Sequence, residues 1–181
     1  MLRTFADDLF TARNIVGDIF NERNLPKGRH VYIFLNADCE SSRADGPIAD
    51  AVYQRWPEAN VISNPAIQPR MPGFLNIHTV YNTNVHIVHL FGKKRAGLPT
   101  DDDTSEQRLK WFTDALNVFR DARVGEEHDN GEHDAGLLIF PAGIGCDAGS
   151  GAWNKYKQAI NSVCWIYGKV DMRILASPAF P

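Results

Sequence analysis

Two short apolar runs constrain the fold of this chain more than any other feature of its sequence. Residues 31–35 (VYIFL) and residues 136–140 (GLLIF) contain no charged side chain. A strand with one face in water alternates apolar and polar residues, so an uninterrupted run indicates a strand covered on both faces. A loop and an amphipathic segment follow each run. The sequence therefore predicts an α/β fold of three layers, in which a mixed, mostly parallel sheet has helices on both faces.

The spacing of apolar residues predicts three amphipathic helices. Apolar side chains recur every three or four residues in 47–56, in 105–124 and in 153–167, which places them on one face of a helix. Residues 104–107 (TSEQ) form a capping box that should begin the second helix. The segment 125–135 is polar and predicts an exposed loop between that helix and the next strand.

Further strands are predicted in the middle and near the end of the chain. Residues 74–81 and 84–91 read as a β-hairpin, because β-prone segments flank a turn at 82–83. A last strand is expected at 172–175. The hairpin would supply the antiparallel part of the mixed sheet.

Composition and charge indicate the class of protein. The chain has 181 residues, of which 44% are hydrophobic and 23% are charged, values typical of one globular domain over residues 1–181. Its formal net charge of −3 argues against nonspecific nucleic-acid binding, although local basic patches are compatible with it. Three cysteines form no CxxC pair, no apolar run reaches ~18 residues, and the N-terminus does not resemble a signal peptide. We expect a protein of the cytoplasm or nucleus that is not secreted and needs no cofactor.

Residues 128–134 (HDNGEHD) contain the residue types of a metal site. Two imidazoles and several carboxylates lie within this segment, and such groups can ligate a metal ion. The segment falls in the predicted polar loop, so a solvated loop is the favoured interpretation and no metal site is expected.

A glycine-rich segment follows the second apolar run. Residues 141–153 (PAGIGCDAGSGAW) lead from the predicted strand into the third helix. Without Cβ atoms, backbone amides can approach a ligand closely, and a helix N-terminus beyond such a loop favours phosphate. An ordinary glycine-rich turn between a strand and a helix is equally consistent with the spacing.

Three elements in a fixed order resemble a known family. Residues 16–20 (VGDIF), the loop 36–49 that ends in GPIA, and residues 144–146 (IGC) followed by Trp153 occur in this order. Together they are similar to the macrodomain family of ADP-ribose-binding modules, over about residues 14–175. The resemblance implies a macrodomain-like α/β/α fold.

Two further short motifs resemble one branch of that family. An Asp-Cys pair occurs at 38–39, and Lys-Lys-Arg follows the hairpin at 93–95. Both are similar to the branch of terminal ADP-ribose glycohydrolases and the yeast ADP-ribose phosphate phosphatase.

The resemblance implies an adenine site at Asp18 and Ile19. The Asp18 carboxylate would accept a hydrogen bond from the adenine amino group, and the backbone N–H of Ile19 would donate to a ring nitrogen. An alternative interpretation of Asp18 is an acid that stabilises the turn after a strand. Phe180 would either stack on adenine or pack on the core.

The resemblance assigns the ribose and the diphosphate to two loops. Asn36 would face the distal ribose. Pro47 lacks an N–H that could bind phosphate, and Arg43 could replace it as a bidentate phosphate contact. The other residues expected around the diphosphate are Gly46, Ile48, Gly143, Ile144, Gly145, Cys146, Ala148, Gly149, Ser150 and Gly151.

Catalysis would depend on Lys93 and Asp147. In the glycohydrolase branch the lysine at the position of Lys93 attacks the anomeric carbon of the distal ribose, and an aspartate is the acid/base. The position of that aspartate falls on Gly149 in this chain. Asp147 is therefore either a relocated acid/base or a sign that the ligand differs from plain ADP-ribose. The alternative interpretations of Lys93 are a solvated basic turn and a cation that attracts the phosphates.

These residues predict a protein that binds ADP-ribose or a related NAD-derived ligand. As an enzyme it would hydrolyse an ADP-ribosyl or ADP-ribose phosphate linkage. The alternative is a noncatalytic reader or sequestering protein for ADP-ribosylated targets or nucleotide signals. The expected partner is ADP-ribose or an ADP-ribosylated macromolecule, with no membrane, and with nucleic acid only where it is ADP-ribosylated.

Overall fold

A computed structural model describes residues 12–41, 46–64, 70–130, 136–146, 153–164 and 171–176. Within these ranges the strands are β1 (Arg13–Val16), β2 (Val31–Asp38), β3 (Leu75–Thr79), β4 (Val85–Lys93), β5 (Leu137–Pro141) and β6 (Asp171–Ala176). The helices are α1 (Pro47–Arg55), α2 (Ser105–Asn130) and α3 (Trp153–Cys164), and a 3₁₀ turn covers Pro57–Ala59.

The strands form one mixed sheet in the order β1-β6-β5-β2-β4-β3. All neighbours are parallel except β3, which is antiparallel to β4. In register, Val31 of β2 lies opposite Val85 and Leu137. The carboxyl ends of the five parallel strands therefore share one edge of the sheet.

Side chains alternate between the two faces of the sheet and separate two cores. On β2, Tyr32 and Phe34 pack with α2 and α3, whereas Ile33 and Leu35 pack on the side of α1. The Phe34 ring stacks on Phe140 at a centroid distance of 4.2 Å. The predicted three-layer arrangement with helices on both faces is confirmed.

The capping box predicted at the start of α2 is present. The backbone N–H of Thr104 donates to Gln107 Oε1 at 2.8 Å, and the Gln107 N–H donates to Thr104 Oγ1 at 3.2 Å. This reciprocal pair satisfies two amides that have no partner within the helix. At the start of α1, Gly46 is the N-cap with φ 91° and gives no side-chain cap.

The structure changes two expectations about element bounds. The exposed loop predicted at 125–135 is wrong for residues 125–130, where α2 continues to Asn130. This stretch contains no proline, and a single glycine costs a helix only about 1 kcal/mol. Residues 131–135 lie outside the described residues, as do residues 165–167 of the predicted third helix. The hairpin is confirmed, although its second strand runs two residues further, to Lys93.

Strand β1 has no counterpart among the strands expected from the residue pattern. Its four residues, Arg13–Val16, lie at the edge of the sheet and pair in parallel with β6.

None of the described helices is both long enough and apolar enough to cross a bilayer.

Candidate functional site

A cleft of about 120 Å³ lies at the carboxyl edge of the sheet. Ligands of open parallel sheets bind outside this edge, where loops leave the strands. One wall is the loop after β1 and another is the beginning of α1. The lining residues are Gly17, Asp18, Ile19, Phe20, Pro47, Ile48, Ala51 and Leu175. The structure thus brings Asp18, Ile19 and Ile48, three residues predicted to bind a ligand, to one cleft.

Asp18 is exposed at the mouth of this cleft and also stabilises its own loop. Its Oδ1 accepts the backbone N–H of Phe20 at 2.9 Å, and its carbonyl oxygen accepts from the Asn24 side-chain amide at 2.7 Å. A carboxylate has two oxygens and about four acceptor positions. The turn-stabilising contact therefore leaves acceptor capacity on Asp18 for a ligand.

Ile19 and Ile48 form the apolar part of the cleft. Ile19 is buried in the core on the α1 side, and Ile48 packs partly buried against the same core. Ile48 follows Pro47 in the first turn of α1, and Gly46 precedes that turn in a left-handed conformation. The N-terminal end of α1, with its positive dipole, lies beside the cleft.

The glycine segment after β5 is connected to the cleft through β6. The Ala142 N–H donates to the Leu175 carbonyl at 2.8 Å, and Leu175 lines the cleft. Within the segment, the Ile144 N–H donates to Pro141 at 3.1 Å and the Cys146 N–H to Gly143 at 2.9 Å. These two amides are engaged inside a turn. In a phosphate-binding loop, by contrast, the backbone N–H groups are free to bind the phosphate.

Gly145 allows this turn to pack on α3. Its φ is 81°, and a Cβ at this position would lie 2.3 Å from Tyr156 Cε1, far inside van der Waals contact. Gly143 is also left-handed, with φ 76°, but has open space around it. Gly145 is therefore required by packing, whereas Gly143 is required by its backbone conformation.

Asn36 lies near the end of β2 with a buried, unpartnered oxygen. Among the described residues, its Oδ1 has no hydrogen-bond partner. A Cβ on Gly92 of β4 would lie 2.3 Å from this oxygen, so Gly92 makes the space that the Asn36 side chain occupies. A glycine within a strand is a signal of such a close approach, and the sequence interpretation did not use it.

Asp38 holds the loop that follows β2. Its buried carboxylate accepts the backbone N–H groups of Glu40, at 3.1 Å, and of Ser41. Arg70 donates to the carbonyls of Ser41, at 3.0 Å, and of Asp38, at 3.4 Å. Arg70 was not predicted to support this loop, and no local pattern in the sequence identifies it.

Cys39 is not an activated thiol. Burial, followed by the negative charge of Asp38, raises its pKa to about 12. A thiol nucleophile requires the thiolate. At neutral pH the Cys39 side chain is therefore a thiol and not a thiolate.

Lys93 is the last residue of β4 and is only 4% exposed. In register it lies opposite Asp38, beyond an irregularity in the pairing of β2 with β4. The backbone N–H of Cys39 donates to its carbonyl at 3.2 Å. Lys93 therefore lies beside the loop that follows β2. Because its side chain is buried, Lys93 is not part of a fully solvated turn.

The two basic residues after Lys93 are held by acids. Lys94 Nζ lies 2.7 Å from Asp102 Oδ2, and Arg95 Nε lies 2.9 Å from Glu40 Oε2. The hydrogen bond from Lys94 lowers the pKa of Asp102 to about 2. These exposed ion pairs orient the segment after β4 more than they stabilise the fold.

A buried ion pair also holds the segment after β4 in place. Arg108 of α2 donates through Nε and Nη2 to the two oxygens of Asp103, at 2.9 and 2.7 Å. Burial alone would raise the pKa of Asp103, but hydrogen bonds from Arg108 and from the Arg95 N–H outweigh it and lower the pKa. Arg108 Nη1 also donates to the Gly97 carbonyl at 2.7 Å. A bidentate pair with further donors to carbonyls is well satisfied.

Several predicted site residues lie outside the described residues. They are Arg43 of the first loop, and Asp147, Ala148, Gly149, Ser150 and Gly151 of the second, together with Phe180. Among the described residues, no group of three or more histidine, cysteine or acidic side chains has a geometry that could hold a metal ion.

Comparison with known proteins identifies the fold. The sequence matches no protein-family model and no curated protein sequence. Among solved structures, a protein of unknown function from Bacteroides thetaiotaomicron has a TM-score of 0.68 at 13% identity, covering 93% of this chain and 98% of that one. The macrodomain of Mycobacterium tuberculosis DarG has a TM-score of 0.62 at 17% identity, covering 92% and 99%. The macrodomain of Thermus aquaticus DarG has a TM-score of 0.62 at 12% identity, covering 92% and 97%.

These similarities agree with the architecture described above. The chain is a three-layer α/β protein with a cleft at the carboxyl edge of its parallel strands. More particularly, it has a macrodomain fold. The resemblance inferred from the sequence motifs is confirmed at the level of the fold.

Proposed function

We propose that this protein binds ADP-ribose along the carboxyl edge of its sheet and hydrolyses an ADP-ribosyl or ADP-ribose phosphate linkage. The order of residues along that edge carries the proposal. From β1 to β4 it presents Asp18, the glycine segment after β5, then Asn36 and Lys93. Adenine, diphosphate and distal ribose follow one another in the ligand in the same order. With neighbouring strands about 4.8 Å apart, β1 and β4 are separated by about 19 Å, a distance suited to an extended dinucleotide-like molecule.

Adenine would occupy the cleft beside Asp18. Its ring would rest on Ile19 and Ile48, and its amino group would donate to the Asp18 oxygen that does not accept the Phe20 N–H. A base with a carbonyl oxygen in that place would meet a second acceptor, so Asp18 would select adenine.

The distal ribose would lie between Asn36 and Lys93. The buried Asn36 oxygen would accept a ribose hydroxyl, which would satisfy a polar atom that is otherwise unpaired. The Lys93 amine would attack the anomeric carbon, and the bond to the leaving oxygen would break with its electron pair on that oxygen. Water would then release ADP-ribose from the lysine. Asp147 would supply and recover the proton.

The second candidate function is a noncatalytic reader of ADP-ribosylated targets. The presence of Gly149 at the position of the glycohydrolase branch's aspartate favours it. A reader would need the same adenine cleft but no acid/base. The two functions therefore share their binding prediction and differ only in turnover.

Calorimetric titration with ADP-ribose tests the binding site. We expect Asp18→Ala to weaken binding by about 1–3 kcal/mol, the cost of unpairing a polar group. Asp121→Ala, which removes an exposed acid on α2, is the matched control and should bind as the wild type does. Absence of ADP-ribose binding by the wild-type protein would refute the proposal.

Asp18→Asn gives a sharper test, because an amide can keep the contact with Phe20. Its oxygen would accept the Phe20 N–H, so its NH₂ group would face the base and repel the adenine amino group. Inosine diphosphate ribose presents an oxygen there. We therefore expect Asp18→Asn to shift the preference from ADP-ribose towards the inosine analogue. An unchanged preference would remove Asp18 from base recognition.

Incubation with three substrates separates the enzyme from the reader. ADP-ribosylated protein, ADP-ribosylated DNA and ADP-ribose phosphate should be assayed for release of ADP-ribose or phosphate. Lys93→Ala should abolish turnover, whereas Lys94→Ala, which removes the neighbouring half-buried lysine, should retain it. Turnover that survives Lys93→Ala would exclude Lys93 as nucleophile. Binding without turnover on all three substrates would establish the reader.

A further inference from the structure

A second, larger cavity lies on the α1 side of the sheet, away from Lys93. Its volume is about 520 Å³, within the range of sites for small ligands. Three walls enclose it: the loop between β1 and β2, the C-terminal end of α1, and the turn between β3 and β4. Phe20 lines both this cavity and the adenine cleft, so the two share one wall.

Aromatic and guanidinium groups form one side of the cavity. The rings of Phe20 and Trp56 meet edge to face at a centroid distance of 5.7 Å. The Arg55 guanidinium lies 5.4 Å from the centroid of each ring. A planar cation held against aromatic rings is a surface on which a flat ligand can stack.

The charges around the cavity are mostly positive. Among the described residues, Lys27, Arg29 and Arg55 line it, and Glu22 is the one lining carboxylate. Within the part of the chain that the structure describes, neither Lys27 nor Arg55 has a hydrogen bond or an ion pair. An ion pair would neutralise these cations, so the absence of one among the described residues leaves their charges available to an anion.

The hairpin turn adds polar groups opposite the rings. Asn82 and Asn84 line the cavity, and no described residue forms a hydrogen bond with either side-chain amide. Each amide offers two donors and one acceptor oxygen. Such groups can bind the edge of a base without fixing which base it is.

We propose that this cavity binds a nucleotide, with the base against Trp56 and the phosphate against Arg55 and Lys27. A stacking surface, unpaired cations and free amides match the three parts of that ligand: a flat base, a phosphate and a polar base edge. The site is separate from the proposed ADP-ribose function and does not depend on it. A free nucleotide and one nucleotide of a single strand present the same chemistry.

Binding of pyrimidine probes tests the site without involving the adenine cleft. The probes are uridine monophosphate and an unmodified oligouridylate of about ten nucleotides, within the site sizes of strand-binding modules. Backbone amide shifts should move at residues 82–85 on titration. Lys27→Glu and Arg55→Gln should each weaken binding by about tenfold or more. Lys110→Glu, the same charge change on α2, should leave it unchanged.

The results either identify the source of the nucleotide or overturn the proposal. Equal affinity for the two probes would identify a free nucleotide, and much tighter binding of the oligonucleotide would identify a strand. No saturable binding of either probe would overturn the site. Equal weakening by all three variants would also overturn it. Because Lys27 is exposed on a loop, its variant tests the site even if Arg55→Gln does not fold.

Discussion

His89 lies in the core, where its ring is shielded from solvent. It is 0% exposed on β4, and its ring faces that of Tyr53 at 5.9 Å with an interplanar angle of 24°. Among the described residues, neither ring nitrogen is hydrogen-bonded. Burial, and next the charge of nearby His78, lower the pKa of His89 from 6.5 to about 3, while the backbone of Asn76 opposes the shift without reversing it. The folded protein therefore holds His89 neutral.

The lowered pKa makes folding sensitive to acid in a defined window. Because the folded pKa lies below the unfolded one, the unfolded chain takes up a proton first as the pH falls. The contribution of His89 to the free energy of unfolding is complete above about pH 6.5. It falls as the pH drops towards about 3 and is constant below that. The loss is about 1.4 kcal/mol for each pH unit inside the window. Between about pH 8 and about pH 5 it amounts to about 2 kcal/mol.

Urea unfolding of wild-type protein and His89→Leu at the two pH values measures this loss. Leucine has a similar size and takes no proton, so the cost at the higher pH should be about 1 kcal/mol or less. At the lower pH the variant should gain about 2 kcal/mol relative to wild type. His30→Leu, which removes an exposed histidine, provides the comparison for a surface site. A difference between wild type and His89→Leu that does not change with pH would refute the reasoning.

Two further predictions concern residues that support the candidate site. Gly92→Ala should displace the Asn36 side chain, lower the affinity for ADP-ribose by about tenfold or more, and cost about 1–3 kcal/mol of stability. Calorimetry measures the affinity and urea unfolding measures the stability. Adding Asn36→Ala to this variant should recover stability but not affinity. Arg108→Met should cost about 3–5 kcal/mol in urea unfolding, because it leaves the Asp103 carboxylate buried without its partner. The double variant with Asp103→Leu should be more stable than Arg108→Met alone, and an equal or lower stability would contradict this account.

The strand and helix content was predictable where one local pattern decides the structure. The run at 31–35 becomes the first five residues of β2, buried on both faces, and the capping box at 104–107 forms as expected. Strand β1 was not predictable in this way. Its residues Arg13–Val16 are mostly exposed, so no apolar pattern marks them, and they are a strand because β6 offers a parallel edge.

The sequence motifs predict the proposed adenine end of the site but not the contacts at its distal end. Asp18 belongs to a short contiguous motif, and the structure places it in a cleft, while its role in binding stays a prediction. The approach of Gly92 to Asn36 depends on the register of β2 with β4, which no local pattern encodes. The Arg108–Asp103 pair likewise joins a helix to the segment before it, outside the i, i+3 and i, i+4 spacings that a helix face would reveal.

The two ends of the candidate site differ in how their residues are held, and this difference predicts how substitutions act. At the adenine end Asp18 is exposed, so its replacement should change affinity with little effect on folding. At the distal end Asp38, Lys93 and Asp103 are buried polar groups. Removing the carboxylate of Asp38 or Asp103 unpairs backbone N–H groups in a medium that cannot solvate them, and Lys93→Ala removes a buried side chain. Loss of turnover there is therefore informative only with a stability measurement beside it. For Lys93→Ala, turnover must be compared at a temperature where the variant remains folded, because only then does its loss report on chemistry.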